Sequence, residues 1–234
     1  MTISPRCLLA GVLFLGFGHL RAQQPTDSAT AVTPASAPAP AAPAEDKRAF
    51  GVLPNHRTVE AGVPFKTITA GQKMVIALKD SFDIPVYPTA AFFAGIYQWE
   101  NQNPSFGQGM KGYARRFGTA LCDQVSGNMM TEGIMPAAFH EDPRYFRMGE
   151  GPMKSRIWYA ATRIFVTKTD SGRQTFNFAE FAGNATTVAV SNAYYPDTRT
   201  ARDNAIKLAV QLAADSFSYV LKEVWPDVKK KIKK

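Results

Sequence analysis

Cysteine is almost missing from this chain: two among 234 residues, Cys7 and Cys122. Cys7 falls inside an N-terminal leader that is expected to be removed, so no intramolecular disulfide is available and stability must come from a packed core. Cys122, beside Ala120, Leu121 and Val125, reads as a small apolar core residue rather than a nucleophile. Histidine is equally scarce, with three in the whole chain. A zinc site would need His140, His56 and carboxylates such as Glu132 or Glu180, and no H-E-x-x-H spacing exists, so no metal is expected. There is no sustained apolar/polar alternation over several segments and no internal repeat, which excludes sandwiches, barrels and solenoids. Long apolar runs are missing too. The uncharged stretches 84–99 and 181–196 fall short of the roughly 20 residues that cross a bilayer. They approach that length closely enough to keep a membrane-inserted helical domain as one alternative.

What is present begins with an address. Arg6, the apolar residues 7–18 and the small Ala22 make residues 1–22 a secretory signal peptide. Residues 23–45 are Ala, Pro, Thr and Ser with few charges, a composition that cannot bury enough apolar surface to offset the entropy of ordering, so a disordered linker is expected. Residues 46–228 are long enough for one helical domain, and 229–234 form a basic tail. The formal charge of +8 is concentrated at the ends: without Arg6 and Arg21 in the leader and Lys229, Lys230, Lys231, Lys233 and Lys234 in the tail, the body carries about +1. That distribution argues against nucleic acid. It leaves the lysine tail as a candidate contact for an anionic membrane or envelope polymer.

Along the domain, residues 50–69 read as an irregular lead-in. From Ala70 a helix is expected with Met74, Val75, Ala77, Leu78 and Phe82 inward and Gln72, Lys73, Lys79 and Asp80 outward. Pro85 and Pro88 should break it ahead of the apolar helix at 84–99. A loop at 101–109 precedes a long helix over 113–139, weakened at Gly118, Gly127 and Gly133 and interrupted at Pro136. Residues 153–167 and 176–195 are read as helix, turn, helix. A hairpin through Thr169-Asp170-Ser171-Gly172 is the alternative. Asn177, Glu180, Asn184, Thr187 and Ser191, at steps of three and four, make one polar seam on an otherwise apolar helix. The last helix starts after Thr198 or Thr200, carries an apolar stripe from Ile206 to Trp225 and should end at Pro226. The expected class is all-α: a compact bundle of about five or six glycine-rich helices.

The densest chemistry lies at residues 132–147, where His140, Glu141, Asp142, Arg144 and Arg147 follow within eight positions. His140 with Glu141, Asp142 or Glu132 could do acid and base work. The plainer reading is a polar corner: Asp142 caps the next segment, Arg144 and Arg147 pair with Glu141 or Glu150, and Tyr145 and Phe146 plug the core. If the seam of Asn177, Glu180 and Asn184 is buried it needs partners, which Arg163 or Arg156 could supply. Residues 107–112 spell G-x-G-x-x-G, but a loop rather than a strand precedes them, so no nucleotide cofactor is expected.

At H140-E-D-P-R-Y-F-R147, R163-I-F-V-T-K-T-D-S-G172, F176-N-F-A-E180 and N192-A-Y-Y-P-D197 the chain resembles a family of exported bacterial proteins common in acidobacteria. The resemblance implies a cell-envelope setting and transfers no activity, cofactor or site. The first expectation is therefore a non-enzymatic helical binding or structural domain of the periplasm or a membrane surface. An envelope hydrolase or lipid-modifying enzyme using His140 is the second.

Overall fold

The computed structural model describes residues 56–232; the expected leader and linker, Lys233 and Lys234 lie outside the described residues. The fold is mostly α. In chain order come β1 (Thr58–Val59), α1 (Ala70–Ser81), α2 (Val86–Trp99), α3 (Gly109–Asn128), a π-helical turn (Met129–Ile134) and α4 (Met135–Phe139). They are followed by β2 (Glu141–Asp142), β3 (Tyr145–Phe146), α5 (Met153–Thr162), β4 (Val166–Thr169), β5 (Gln174–Phe176), α6 (Phe178–Ser191) and α7 (Ala201–Ile232). Because α3, the π turn and α4 run on as one rod, the described residues hold six helical rods.

Local chemistry sets most boundaries. Thr69 closes a capping box with Gln72 at the start of α1, and Thr200 does the same with Asp203 ahead of α7. Pro85 is the N-cap of α2 and Pro88 lies in its first turn, where a missing N–H costs nothing, so these prolines start the helix rather than kink it. The long rod passes Pro136 without breaking because the π turn just before it re-phases the backbone, and it ends where His140 adopts a left-handed φ of 55°. Asp123 of α3 accepts hydrogen bonds from Tyr194 and Tyr195 at 2.5 and 2.7 Å, tying down the connection from α6 to α7.

Three expectations are corrected. Residues 164–178 are not helix, turn, helix: β4 and β5 form an antiparallel hairpin around Gly172, and β2 adds a third strand on the far side of β4. The β-branched and aromatic residues on either side of the turn decide the matter. Pro226 does not end the last helix, which continues to Ile232, so Lys229, Lys230 and Lys231 belong to α7 rather than to a separate tail. Near this proline the carbonyl of Glu223 also accepts side-chain donors, from Arg156 at 2.7 Å and Arg147 at 3.0 Å.

The third correction is the largest. Helix α1 departs from expectation on both faces: Lys73 and Asp80 are buried and Val75, Leu78 and Phe82 are exposed, while Ala77 is buried and Gln72 and Lys79 are exposed as expected. α7 does the same, burying Lys222 and Glu223 and exposing Ile206, Val210 and Phe217. On α6 the polar seam itself faces inward, with Asn177, Glu180, Asn184, Thr187 and Ser191 all buried.

The π turn is the hinge of the packing. Its wide coil buries three consecutive residues, Thr131, Glu132 and Gly133. Gly133 faces α1, where an added Cβ would meet Met74 and Ala77, and Thr131 faces α6 across Gly183. At Gly183 a methyl group would lie 3.0 Å from the Thr131 backbone, closer than atoms can pack. Gly183→Ala should therefore destabilise the domain by about 1 to 3 kcal/mol through overpacking. Gly118→Ala, into open space on α3, should be neutral or stabilising by up to about 1 kcal/mol. Urea unfolding of the two variants checks the contrast, and equal midpoints would contradict it.

Candidate functional site

The interior beside the π turn holds four carboxyls and two cations. Glu132 comes from the π turn, Asp80 from α1, Glu180 from α6 and Asp215 from α7, with Arg57 from the lead-in before β1 and Lys222 from α7. Arg57, Asp80, Glu132, Glu180 and Lys222 are all buried. Arg57 Nε lies 3.3 Å from Glu132 Oε1, and its guanidinium sits over the Tyr219 ring at 5.1 Å. Burial works against the Arg57 charge, but Tyr219, Glu132, Glu180 and Asp215 around it outweigh that and keep it protonated.

Two pairs of acids complete the group, Glu132 beside Asp80 and Glu180 beside Asp215, and in each the neighbouring aspartate works against ionisation of the glutamate. Asn184 fixes the second pair by donating to Glu180 Oε1 at 3.1 Å and to Asp215 Oδ2 at 3.2 Å, and the Tyr219 hydroxyl reaches Glu180 Oε2 at 3.3 Å. Burial, with Asp215 alongside, holds Glu180 well above the ordinary carboxylate range. Burial likewise pushes Glu132 up to about 8 against the pull of Arg57, whose Nε contact is off-axis and makes no hydrogen bond. Lys222 is pushed down to about 8, first by burial and then by Arg57.

A second group is anchored on Glu223 of α7. Its carboxylate accepts from Arg156 Nε at 2.8 Å, the Tyr145 hydroxyl at 2.7 Å and the backbone of Gly149 at 2.9 Å, and Arg156 reaches on to Asp227. Arg147 pairs with Glu60 and approaches Glu223 at 3.8 Å. Tyr145 and Tyr219 stack between the two groups at 5.0 Å.

The His140 corner is a different place. The imidazole is 85% exposed, and its Nδ1 lies 3.8 Å from Asp170, whose other oxygens serve Lys73 at 2.7 Å and Thr67. Glu141 is buried and accepts from the backbone N–H groups of Phe178 and Ala179, neutralising the N-terminus of α6. Asp142 is held by Arg144 at 2.6 Å. Thus Arg144 pairs with Asp142, not with Glu141 or Glu150, and Arg147 takes Glu60 and Glu223.

Of the residues singled out in sequence, the fold brings Glu132, Glu180 and Asn184 into one network, with Asn177 capping α6. Arg163 is not Glu180's partner; its guanidinium lies over the Tyr159 ring at 4.4 Å. Arg156 answers Glu223 instead. Arg163 and Glu180 do line one partly open cavity, together with Glu141, Asp142, Asn177 and Tyr219, and His140 is not among its walls. Cys122 is half-buried on α3. A loop, not a strand, precedes the glycines at 107–112, where Arg116 donates to the carbonyls of Gln102 and Gly107. Among the described residues no three acidic, histidine or cysteine side chains are placed to hold one metal ion.

Sequence reasoning missed Arg57, Asp80, Asp215, Lys222 and Glu223. A spacing signal is present, since Asp215, Tyr219 and Lys222 repeat at steps of four and three as the α6 seam does, but spacing alone does not tell that this side faces inward. Compared with family models, with curated proteins and with solved structures, the chain matches none.

The arrangement sets buried acids against the buried cations Arg57 and Lys222. Its pH signature follows by linkage. Glu132 keeps its proton up to about 8 in the folded state but loses it near 4.5 when unfolded, so the folded form binds the extra proton between those values. Stability from this group is full below about 4.5 and is lost as pH rises to about 8. Lys222 acts in the next window, returning stability between about 8 and 10.5. Glu132→Gln should flatten the lower limb, so that relative to the natural chain it gains more than about 1 kcal/mol between pH 5 and 8. Unfolding free energies measured across that range test this, and parallel profiles would refute it.

Proposed function

We propose that this chain is an exported, non-enzymatic cell-envelope protein whose helical domain seats its apolar exterior against a membrane. One observation carries the reading. Among the described residues, nineteen buried side chains are polar or charged and eleven are apolar, while twenty-three large apolar side chains are exposed. A domain in water buries the opposite set, because each exposed aromatic forgoes about 1.5 to 3 kcal/mol of transfer free energy. Trp99 and Trp158 are 87% and 73% exposed, Phe92 66% and Ile84 74%. Such a surface is stable when lipid covers it.

No helix among the described residues is long and apolar enough to cross a membrane. The reading is therefore of a domain seated in one leaflet, with tryptophans at the depth where amphipathic rings collect. Lys229, Lys230 and Lys231 at the end of α7 add attraction to anionic headgroups. Export and the envelope setting rest on the apolar leader and on the resemblance described above. Hydrolysis through His140 has less in its favour: the imidazole faces solvent, Glu141 caps α6 and Asp142 is bound to Arg144.

Flotation with lipid vesicles tests the reading on the chain from Gln23 onward. The protein should rise with vesicles containing anionic lipid and stay with them in molar salt, because apolar contact is not screened. Release by salt would reduce the contact to surface charge. Protein left at the bottom of the gradient at low salt would overturn the proposal.

A further inference from the structure

The cavity beside β2 and β4, walled on its other sides by the end of α5 and the start of α6, encloses about 480 Å³ of empty space with its open mouth included. Three of its lining residues hold donors that the fold leaves unused. Arg163, the C-cap of α5, enters no ion pair among the described residues: its guanidinium lies over the Tyr159 ring at 4.4 Å, and its Nε is buried with no hydrogen-bond partner. Lys168 on β4 likewise meets no carboxylate among the described residues, and its ammonium stands 4.1 Å from the Phe146 ring. Asn177 is only 7% exposed, and its Oδ1 accepts from the Glu180 N–H at 3.1 Å, which leaves its amide hydrogens without an acceptor among the described residues.

The acids on the same wall are already answered. Asp142 accepts from Arg144 at 2.9 and 2.6 Å, and Glu141 accepts from the backbone of Phe178 and Ala179. Glu180 receives Asn184 and Tyr219 and, through burial and the nearby Asp215, keeps its proton above the ordinary carboxylate range. Arg144, Arg163 and Lys168 thus face two ionised acids, so one positive charge is left over. An uncompensated charge away from water is costly, and a singly charged anion removes that cost, whereas a doubly charged one would meet Glu141 and Asp142. A carboxylate matches the planar fork of an arginine.

The cations are also held in place before anything binds. The Tyr159 hydroxyl donates to the Phe146 carbonyl at 3.0 Å, so the rings under Arg163 and Lys168 are joined to each other. Phe146, Tyr159 and Val166 are half-buried on the cavity wall and offer apolar contact beside the charges. Donors fixed beforehand bind more tightly, because less freedom is lost on contact.

We infer that this cavity binds the carboxylate of a small apolar organic acid, with Arg163 as the fork that holds it, Lys168 and Asn177 as further donors, and Phe146 and Tyr159 against its body. The inference is independent of the membrane reading, and its test contains no lipid.

Benzoate is titrated into the chain from Gln23 onward and followed by backbone amide chemical shifts. It should saturate one site, with the largest shifts at Arg163, Lys168 and Asn177, and bind at least about tenfold tighter than benzyl alcohol, which keeps the ring and lacks the charge. Arg163→Gln should weaken benzoate about tenfold or more and Lys168→Gln by a smaller factor, with benzyl alcohol unchanged by either. Inorganic phosphate bound as tightly as benzoate would make this a site for bare oxyanions and overturn the assignment to an organic acid. Equal affinity for benzoate and benzyl alcohol, shifts confined to other parts of the domain, or no saturation would overturn it as well. Should Arg163→Gln misfold, Lys168→Gln and the ratio of benzoate to benzyl alcohol affinity on the natural chain still decide.

Discussion

The structure depends on neutralising charge where water cannot reach. Arg57 and Lys222 against Asp80, Glu132, Glu180 and Asp215 amount to six ionisable groups in one interior. Removing each of them from water costs several kcal/mol, and the cost is offset only if every partner is in place. That requirement fixes the packing more tightly than apolar contact does. α1, the π turn, α6 and α7 each bring one acid, and the residues before β1 bring the arginine, so no element can shift without leaving a charge uncompensated. Asn184, donating to Glu180 on its own helix and to Asp215 on α7, holds the two helices in register by directional bonds, whereas apolar faces tolerate sliding.

The π turn is where this constraint meets the chain. A regular α-helix through residues 129–134 would spread Thr131, Glu132 and Gly133 around the rod. The wider coil keeps all three interior, with Glu132 reaching the charge cluster while Thr131 and Gly133 accept close neighbours on either side. The small residues Gly133 and Gly183 are the counterpart of the charges: they let α1 and α6 approach closely enough for Asp80 and Glu180 to reach partners. The glycine content of this chain is thus partly a consequence of its buried ions. Glycines such as Gly118, beside open space, are not explained by that argument.

The helical class, the number of rods and the polar seam of α6 could be read from periodicity, because those signals depend only on spacing. Which face of a helix points inward could not. Periodicity reports that α1 has a polar face with Lys73 and Asp80 and an apolar face with Val75 and Leu78, but the choice between them belongs to the surroundings. Water would turn the apolar face in; the fold turns Val75 and Leu78 out and keeps Ala77 in. The hairpin at 166–176 was legible only as an alternative, since short apolar runs beside a D-S-G turn suit helix and strand about equally until β2 supplies a partner. At the candidate site, Glu132, Glu180 and Asn184 could be named from sequence and their partners could not. Arg57, more than seventy residues before Glu132, reaches it only through the tertiary fold.

Inverted polarity and a balanced interior are two sides of one arrangement. In a medium without water, hydrogen bonds and ion pairs hold helices together while apolar side chains have no reason to leave the solvent, and polar groups migrate to the helix interfaces. The α6 seam, the Glu223 group and the Arg57 cluster all sit at such interfaces. The membrane seat proposed above would account for both halves at once: lipid would cover what water would not, and the buried charges would stand in for part of a hydrophobic core. The domain resembles, in its distribution of polarity, a bundle solvated on its outside by hydrocarbon, and short helices of 12 to 14 residues such as α1, α2 and α6 suit one leaflet better than two.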